Sequence, residues 1–283
     1  MSASVPWHAN SFTFTPNVDA YFKRIGYTGS RELCIETLNQ IQWLHLLAIP
    51  YENLDIHIPG GKIDLTPEVV ERKLVTDGRG GYCFEHNTLA MYVLRAIGFD
   101  VTPVLARTRW QRLTDFTGAA THLVLKVNLQ GVLWLFDVGF SSFGSGVPLL
   151  IETEETQLTS LNESRRIIKT DEFYIHQLLS HEKKWVDMYV FTLNRSYPID
   201  WELGSYYCST HPTCSLLDCI IVAKPTENSR VLMFNKTFST KYPDGTSESR
   251  EITTEEEYLQ VLRSVFKLTL PDNFHICPPK MPW

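Results

Sequence analysis

The sequence lacks a hydrophobic run long enough to cross a membrane. A spanning helix needs roughly 18 apolar residues in a row. The most apolar stretch, residues 123–140, is interrupted by Lys126, Asn128, Gln130, Gly131 and Asp137. The first 17 residues contain neither a basic start nor an apolar core, so no secretory signal peptide is predicted. These absences favour a cytosolic protein that does not interact with a membrane.

The chain also has no excess of positive charge and few cysteines. Its 26 Lys and Arg residues are outnumbered by 32 Asp and Glu, for a net charge of −6, which disfavours nucleic acid as a partner. The six cysteines are too sparse in 283 residues for a disulfide framework. The sequence contains no C-x-x-C pair, which would indicate a metal site, and no glycine-rich nucleotide-binding motif. The cysteines are Cys34, Cys83, Cys208, Cys214, Cys219 and Cys277.

The order of hydrophobic patterns predicts helices first and strands later. Helices are predicted at residues 17–25, at 30–47 with Ser30 as N-cap, from Pro67 onward with Thr66 as N-cap, and at 83–97. Strands are predicted at 121–127, 132–138, 185–193 and 218–223. Residues 151–170 are polar and weakly patterned, and a capping box at Thr254 and Glu257 begins a last helix. At 43% hydrophobic residues and this length, two or three packed units are expected.

One segment has three closely spaced glycines just before a cysteine at a predicted helix start. Gly78, Gly80 and Gly81 precede Cys83. At the first turn of a helix, free N–H groups and the helix dipole favour a thiolate, the nucleophilic form of cysteine. The alternative is that Cys83 is a small apolar core residue, since free cysteine is among the most buried types.

A predicted hairpin supplies the base that such a nucleophile requires. If Asn128 pairs with Gly131 across the turn, His122 lies directly opposite Asp137, close enough for the imidazole to donate to the carboxylate. A one-residue bulge in the turn would instead place the two residues on opposite faces. Without such a pairing, Asp137 ends a strand and His122 is a satisfied core histidine. With it, a Cys83, His122, Asp137 catalytic triad is predicted.

These segments together resemble the arylamine N-acetyltransferases. The resemblance lies in the run RGGYCFE at residues 79–85, THL at 121–123 and DVGF at 137–140, in that order. Supporting matches are YFKRIGY at 21–27, IPYENL at 49–54, Gly98-Phe99 and STHP at 209–212, so the resemblance covers nearly the whole chain.

The resemblance implies an α+β multi-domain fold around a cysteine-protease-like catalytic core. It comprises an N-terminal helical bundle (1–98) with the nucleophile, a middle β-barrel (99–204) with the histidine and aspartate, and a C-terminal α/β lid (205–283). In that family the cysteine takes an acetyl group from acetyl-CoA and passes it to an arylamine, arylhydrazine or N-hydroxyarylamine. Carried over, Cys83 is the nucleophile, His122 the base and Asp137 the residue that orients the imidazole. Ping-pong kinetics are then expected.

Further roles are implied by the same resemblance. The cofactor-contacting residues are expected to be Thr117, Gly118, Ser209 and Thr210, with no metal and no obligate protein partner. Arg79, together with Glu52 and Asn53, is expected to support the catalytic loop, and Phe84 and Phe140 either line an aromatic acceptor pocket or belong to the core.

The sequence departs from the family pattern in two places. Ser141 and Ser142 follow the DVGF turn, and Tyr51 replaces a common phenylalanine, so acceptor preference cannot be transferred. Two other functions remain open: a thiol hydrolase or transglutaminase-like enzyme, which uses the same triad on amides, and a catalytically silent CoA-binding protein.

Overall fold

The computed structural model describes residues 13–58, 61, 63–112 and 118–276. The described residues contain six α-helices, and none of them is long and apolar enough to cross a membrane. The helices are α1 (Val18–Ile25), α2 (Ile35–Ala48), α3 (Pro67–Glu71), α4 (Cys83–Ala96), α5 (Pro198–Thr210) and α6 (Glu255–Ser264).

Most helix ends follow the local signals in the sequence. The Asn17 side chain accepts a hydrogen bond from the Ala20 N–H at the start of α1, and Gly26 ends that helix in the left-handed conformation. The prediction for α2 was wrong at its start: Cys34, not Ser30, is the N-cap. Ser30 instead accepts a hydrogen bond from the N–H of Glu32, a local turn that competes with the helix. Helix α3 continues into a π-helical turn, Arg72–Thr76.

Thirteen strands within the described residues form two antiparallel sheets. The eight-stranded sheet contains β2 (Asp100–Thr108), β3 (His122–Leu129), β4 (Val132–Phe136), β5 (Leu149–Leu150), β6 (Gln157–Leu158), β7 (Ser164–Lys169), β8 (Tyr174–Leu179) and β9 (Trp185–Phe191). The five-stranded sheet contains β1 (Tyr51–Glu52), β10 (Ile221–Pro225), β11 (Arg230–Phe234), β12 (Thr237–Lys241) and β13 (Ser247–Glu251).

The eight-stranded sheet curls into a nearly closed barrel. Its strand order is β5-β4-β3-β2-β9-β8-β7-β6, and β5 from one edge also contacts β7 near the other. Residues 151–170, which the sequence pattern left without regular structure, supply β6 and β7 of this barrel. The buried positions of β7 alternate along the strand, but one of them is an arginine, Arg165, which hides the pattern.

The core joins the two ends of the chain to the middle. Helix α4 packs against β3 and β2, and its residues from Cys83 to Leu94 are all buried. Strand β1 pairs with β10, so a segment from the first hundred residues completes the C-terminal sheet. Helix α5 extends across the predicted domain boundary between residues 204 and 205. The division into 1–98, 99–204 and 205–283 stays a prediction. The structure is α+β, as expected.

Candidate active site

Cys83 is the first residue of α4, and the backbone before it is held close to β1. The Glu85 carboxylate accepts a hydrogen bond from the N–H of Tyr82 at the helix N-terminus, over 3.0 Å. The N–H of Glu52 donates to the Gly81 carbonyl over 2.7 Å. A Cβ atom at Gly80 would lie 2.1 Å from the Pro50 carbonyl oxygen, so only glycine allows this approach. The sequence signal of glycines before a helix-start cysteine is therefore confirmed.

The predicted histidine and aspartate lie side by side next to this helix start. His122 Nε2 is 2.7 Å from Asp137 Oδ2, and both side chains are buried. The Cys83 thiol interacts with the His122 imidazole and is 3.5 Å from the carbonyl oxygen of Thr121. Cys83, His122 and Asp137 are thus brought together at the junction of α4 and β3.

The hairpin register that predicted this pairing was wrong by two residues. Asn128 pairs with Leu133, and the turn consists of Gln130 and Gly131, both with positive φ, as in a type I′ hairpin. The Asn128 side chain accepts a hydrogen bond from the Gly131 N–H instead of pairing with it through the strand ladder. Since side chains alternate with a period of two, the shift leaves His122 and Asp137 on the same face, as diagonal neighbours.

Asn87 is a residue of this site that the sequence analysis missed. It lies one turn after Cys83 on α4, and its Nδ2 donates to Asp137 Oδ1 (3.0 Å) and to the Leu123 carbonyl (2.7 Å). Its Oδ1 accepts from the N–H of Val138. The spacing of four residues from Cys83 on a helix is the signal that points to it, because residues four apart share a face. Asn87 therefore fixes the carboxylate and the nucleophile's helix relative to each other.

Gly139 allows the strand end to approach the helix. A Cβ at this position would lie 2.6 Å from the Cys83 Cα and 2.6 Å from Asn87 Nδ2. The Gly139 N–H donates to Asp137 Oδ1 over 2.9 Å. The glycine of the DVGF segment thus has a steric function and also supplies a donor to the carboxylate.

The electrostatics of the pair follow from burial and from these partners. Burial by itself lowers the pKa of His122, but the Asp137 carboxylate and the interaction with Cys83 outweigh it and raise the pKa to about 10. Burial by itself raises the pKa of Asp137, but the His122 imidazolium, the Gly139 N–H and Asn87 together lower it to about 2. At neutral pH the pair is therefore an imidazolium and a carboxylate.

Aromatic rings surround the imidazole. The His122 ring lies 4.9 Å from the Phe140 ring and 5.0 Å from the Tyr189 ring, and Phe140 and Tyr189 contact each other edge to face. Phe140 is half-buried, whereas Phe84 is fully buried in the core against Tyr82. Of the two candidate pocket residues, Phe140 lies beside the histidine and Phe84 belongs to the core.

A buried charge network supports the loop before Cys83. Arg79 Nη2 lies 2.7 Å from Glu52 and 2.8 Å from Asp55, and Lys73 bridges Asp55 (2.6 Å) and Glu85 (2.7 Å). Burial opposes the charge on Arg79, but the Glu52 and Asp55 carboxylates raise its pKa. The arginine is therefore a permanently charged anchor for the catalytic loop.

Asn53 does not take part in that network. Its Nδ2 donates to the carbonyl oxygen of Cys219 over 2.8 Å, and its Oδ1 accepts from the N–H of Ile221 over 2.7 Å. The expectation that Asn53 supports the catalytic loop alongside Arg79 was wrong, because its hydrogen bonds attach β1 to the C-terminal strand β10. A sequence pattern does not reveal a contact across 168 residues.

Of the four residues expected to contact the cofactor, the structure describes three. Thr117 lies outside the described residues. The Gly118 carbonyl accepts a hydrogen bond from Arg107 over 2.5 Å. Ser209 and Thr210 donate their hydroxyl protons to carbonyl oxygens of α5, and they lie on the wall of a groove of about 790 Å³ that also contains Asp64 and Glu202.

Known proteins are similar to this chain over most of its length. Residues 34–275 match the family model described as N-acetyltransferase. The chain is 32% identical over 237 residues to the arylamine N-acetyltransferase of Mycobacterium tuberculosis, covering 83% of each chain. It is 31% identical over 279 residues to human arylamine N-acetyltransferase 2, covering 91% of this chain and 96% of that one.

A solved structure extends the similarity to the fold. The Mycobacterium marinum arylamine N-acetyltransferase in complex with CoA superposes with a TM-score of 0.84 at 30% identity, over 89% of this chain and 93% of that one. Together these matches define an acyltransferase. The chain belongs to the arylamine N-acetyltransferase family.

Proposed function

We propose that this protein transfers an acetyl group from acetyl-CoA to arylamines, arylhydrazines or N-hydroxyarylamines through a thioester on Cys83. The observation that carries the proposal is the Cys83 thiol beside an imidazole whose Nε2 lies 2.7 Å from Asp137, in a chain of this family. An imidazolium next to sulfur at a helix N-terminus stabilises negative charge on the sulfur.

The first half-reaction forms the acetyl-enzyme. The Cys83 sulfur attacks the thioester carbonyl carbon of acetyl-CoA, and the C–S bond to CoA breaks. The CoA sulfur leaves with the proton that His122 held, so the imidazole becomes neutral as free CoA is released. Asp137 keeps the ring oriented through both states, since its other oxygen is held by Asn87 and Gly139.

The second half-reaction transfers the acetyl group to the amine. The amine nitrogen attacks the acetyl-Cys83 carbonyl carbon while neutral His122 takes a proton from the nitrogen. The N–C bond forms, the C–S bond breaks, and sulfur and imidazolium return to their starting charges. Phe140, beside the His122 ring, offers a flat apolar surface against which an aromatic acceptor can stack.

The CoA contacts at Thr117, Gly118, Ser209 and Thr210 remain part of the proposal. The relative from Mycobacterium marinum was solved in complex with CoA, and a similar donor substrate is proposed here. Ser209 and Thr210 must turn their hydroxyl protons away from the α5 carbonyls to bind a phosphate. The carboxylates of Asp64 and Glu202 in the same groove disfavour phosphates. We therefore expect any contact there to involve an uncharged part of the donor.

The test is initial-rate kinetics with acetyl-CoA and 4-aminobenzoate varied together. Parallel double-reciprocal lines are expected for the wild type, since CoA leaves before the amine reacts. Intersecting lines would contradict the thioester mechanism.

Cys83→Ser is the matched variant. We expect it to fold and to lose acetyl transfer by at least about 10³-fold, because a hydroxyl ionises far less than a thiol. Cys34→Ser serves as the control for cysteine loss elsewhere and should leave the rate unchanged. Release of acetate without amine acetylation would instead favour the hydrolase function.

A further inference from the structure

Beyond the catalytic thiol, the structure brings three more cysteines into the same neighbourhood. Cys83, Cys208, Cys214 and Cys219 all interact electrostatically with the buried Tyr51 hydroxyl. Cys83 belongs to the proposed triad, and the Cys219 thiol donates to the Ser215 carbonyl over 3.2 Å. The remaining two, Cys208 and Cys214, contact each other and are called the thiol pair below.

The chain reversal after α5 creates the thiol pair. The Cys214 N–H donates to the His211 carbonyl over 2.8 Å and closes a turn. The Tyr207 hydroxyl is 2.9 Å from the Thr213 hydroxyl, so position 213 returns against position 207. Cys214, the next residue, packs against the core cluster that contains Cys208.

The segment that follows is held in place from the other side. The Asn53 amide donates to the carbonyl oxygens of Leu216 (3.3 Å) and Cys219 (2.8 Å). The 3₁₀ turn Ser215–Leu217 contacts α5 directly. The two sulfurs are therefore neighbours in a fixed part of the fold, on either side of a short reversal.

The two thiols of the pair have unequal environments. Cys208 is buried at 3% exposure, whereas Cys214 is partly exposed and follows the exposed residues His211 to Thr213. The side chains of Cys208 and Cys214 interact with each other, and the backbone of Leu216 also interacts with the Cys214 sulfur.

These contacts decide which sulfur carries the charge. The interaction with Cys208 lowers the pKa of Cys214 to about 7, against the opposing effects of burial and of the Asp218 carboxylate. The same contact and burial raise the pKa of Cys208. A partly exposed thiolate next to a buried, protonated thiol is the arrangement of an oxidisable cysteine and its resolving partner.

We propose that Cys214 reacts with a peroxide and that Cys208 then forms an intrachain disulfide with it. In the first step the Cys214 thiolate attacks one peroxide oxygen, an S–O bond forms, the O–O bond breaks, and hydroxide leaves. In the second step the Cys208 sulfur attacks the Cys214 sulfenic acid, the S–S bond forms, and the S–O oxygen leaves as water with the Cys208 proton. The two sulfurs lose two electrons and the peroxide gains them.

This assignment does not depend on acetyl transfer. Within the described residues, no three His, Cys, Asp or Glu side chains are grouped so that they can hold a metal ion. Cys34 provides an internal comparison, because it is also partly exposed but its sulfur contacts the Thr37 hydroxyl at 3.3 Å and not another thiol.

The test is oxidation of the reduced wild-type protein with about one equivalent of hydrogen peroxide at pH 7. Remaining thiols are blocked with iodoacetamide, and the protein is cut with chymotrypsin without reduction. Cleavage after Tyr207 and Leu217 yields a peptide with Cys208 and Cys214 and without Cys219. We expect this peptide two hydrogens lighter and unalkylated, and alkylated again after dithiothreitol. Oxidation of the pair should be at least about fivefold faster than that of Cys34.

Two variants separate the roles of the sulfurs. In Cys208→Ser, Cys214 should accumulate as a sulfenic acid that a cyclic 1,3-dione traps. In Cys214→Ser, Cys208 should stay reduced at the same peroxide dose. If Cys208 is oxidised equally without Cys214, or if the wild-type peptide stays fully alkylated while Cys34 or Cys83 is oxidised, the proposal is wrong. The wild-type result alone decides if a variant does not fold.

Discussion

Replacing Asp137 by asparagine removes the charge that determines the protonation of His122 and keeps the shape of the side chain. In the wild type the carboxylate, together with the interaction with Cys83, raises the pKa of His122 from an ordinary 6.5 to about 10 against the effect of burial. That difference corresponds to roughly 5 kcal/mol of preference for the imidazolium. With the carboxylate gone, burial dominates, and we expect the pKa of His122 to fall below 6.5.

The rate of acetyl transfer should decrease because the positive charge on His122 is lost. At pH 7 the variant carries a neutral imidazole, so the Cys83 sulfur loses its neighbouring positive charge. Because Asn87 and Gly139 donate to Oδ1, the amide NH₂ takes the place of Oδ2 and faces His122 Nε2, which favours the wrong tautomer. We expect acetyl transfer to decrease by roughly 10²- to 10⁴-fold.

The assay is a pH titration of ¹⁵N-histidine-labelled protein by NMR, alongside acetylation rates. The matched control is Asp100→Asn, an exposed carboxylate on β2 that accepts a hydrogen bond from Asn128; it should leave the pKa of His122 unchanged. A His122 that still titrates near 10 in Asp137→Asn would refute the reasoning.

Three further substitutions and one pH profile follow from the same geometry. Gly139→Ala puts a methyl group 2.6 Å from the Cys83 backbone, and we expect a loss of about 1–3 kcal/mol in urea unfolding with at least tenfold lower kcat; wild-type values would contradict the close packing. Asn87→Ala leaves buried partners unsatisfied, at about 1–3 kcal/mol in the same assay, and should also lower kcat; unchanged kcat would contradict its positioning role. Glu52→Gln removes the negative charge of a fully buried partner of Arg79 and should lower the free energy of unfolding by roughly 3 kcal/mol; an unchanged urea midpoint would contradict this. The stability lost in Asp137→Asn should be largest between about pH 4 and 6.5. The raised pKa of His122 stabilises the folded state below pH 6.5, and this stabilisation is lost as the pH rises toward 10. The lowered pKa of Asp137 stabilises the folded state above pH 3.8, and this stabilisation is lost as the pH falls toward 2; a pH-independent difference would contradict the expectation.

Local signals in the sequence were sufficient for most helix ends and for placing Cys83 at the start of a helix. Gly26 marks the end of α1 and Pro67 the start of α3 through backbone geometry alone. The glycines before Cys83 likewise restrict the backbone conformation of the loop that leads into α4. The hairpin shows where this reasoning stops. The turn was placed one residue too early, which shifts the strand register by two, so His122 and Asp137 still share a face.

Contacts between distant segments were beyond the sequence pattern. Strand β1 has two residues and no periodicity, and it exists because β10 pairs with it and the adjacent Asn53 bonds to Cys219 and Ile221, far away in the sequence. The four-residue spacing of Asn87 from Cys83 identifies its partner only once the DVGF segment is known to pack on α4. Buried Arg165 makes β7 look polar, although it is paired with Glu163 over 2.8 Å inside the barrel.

The most direct test of the central claim is the intact mass of the protein after brief exposure to acetyl-CoA alone. We expect one added acetyl group, located on Cys83 by peptide mapping and absent in Cys83→Ser. It should disappear when an arylamine such as 4-aminobenzoate is added, as the acetylated amine forms. Acetylation of the amine without any acetylated Cys83, under conditions where that thiol still reacts with an alkylating reagent, would contradict the account.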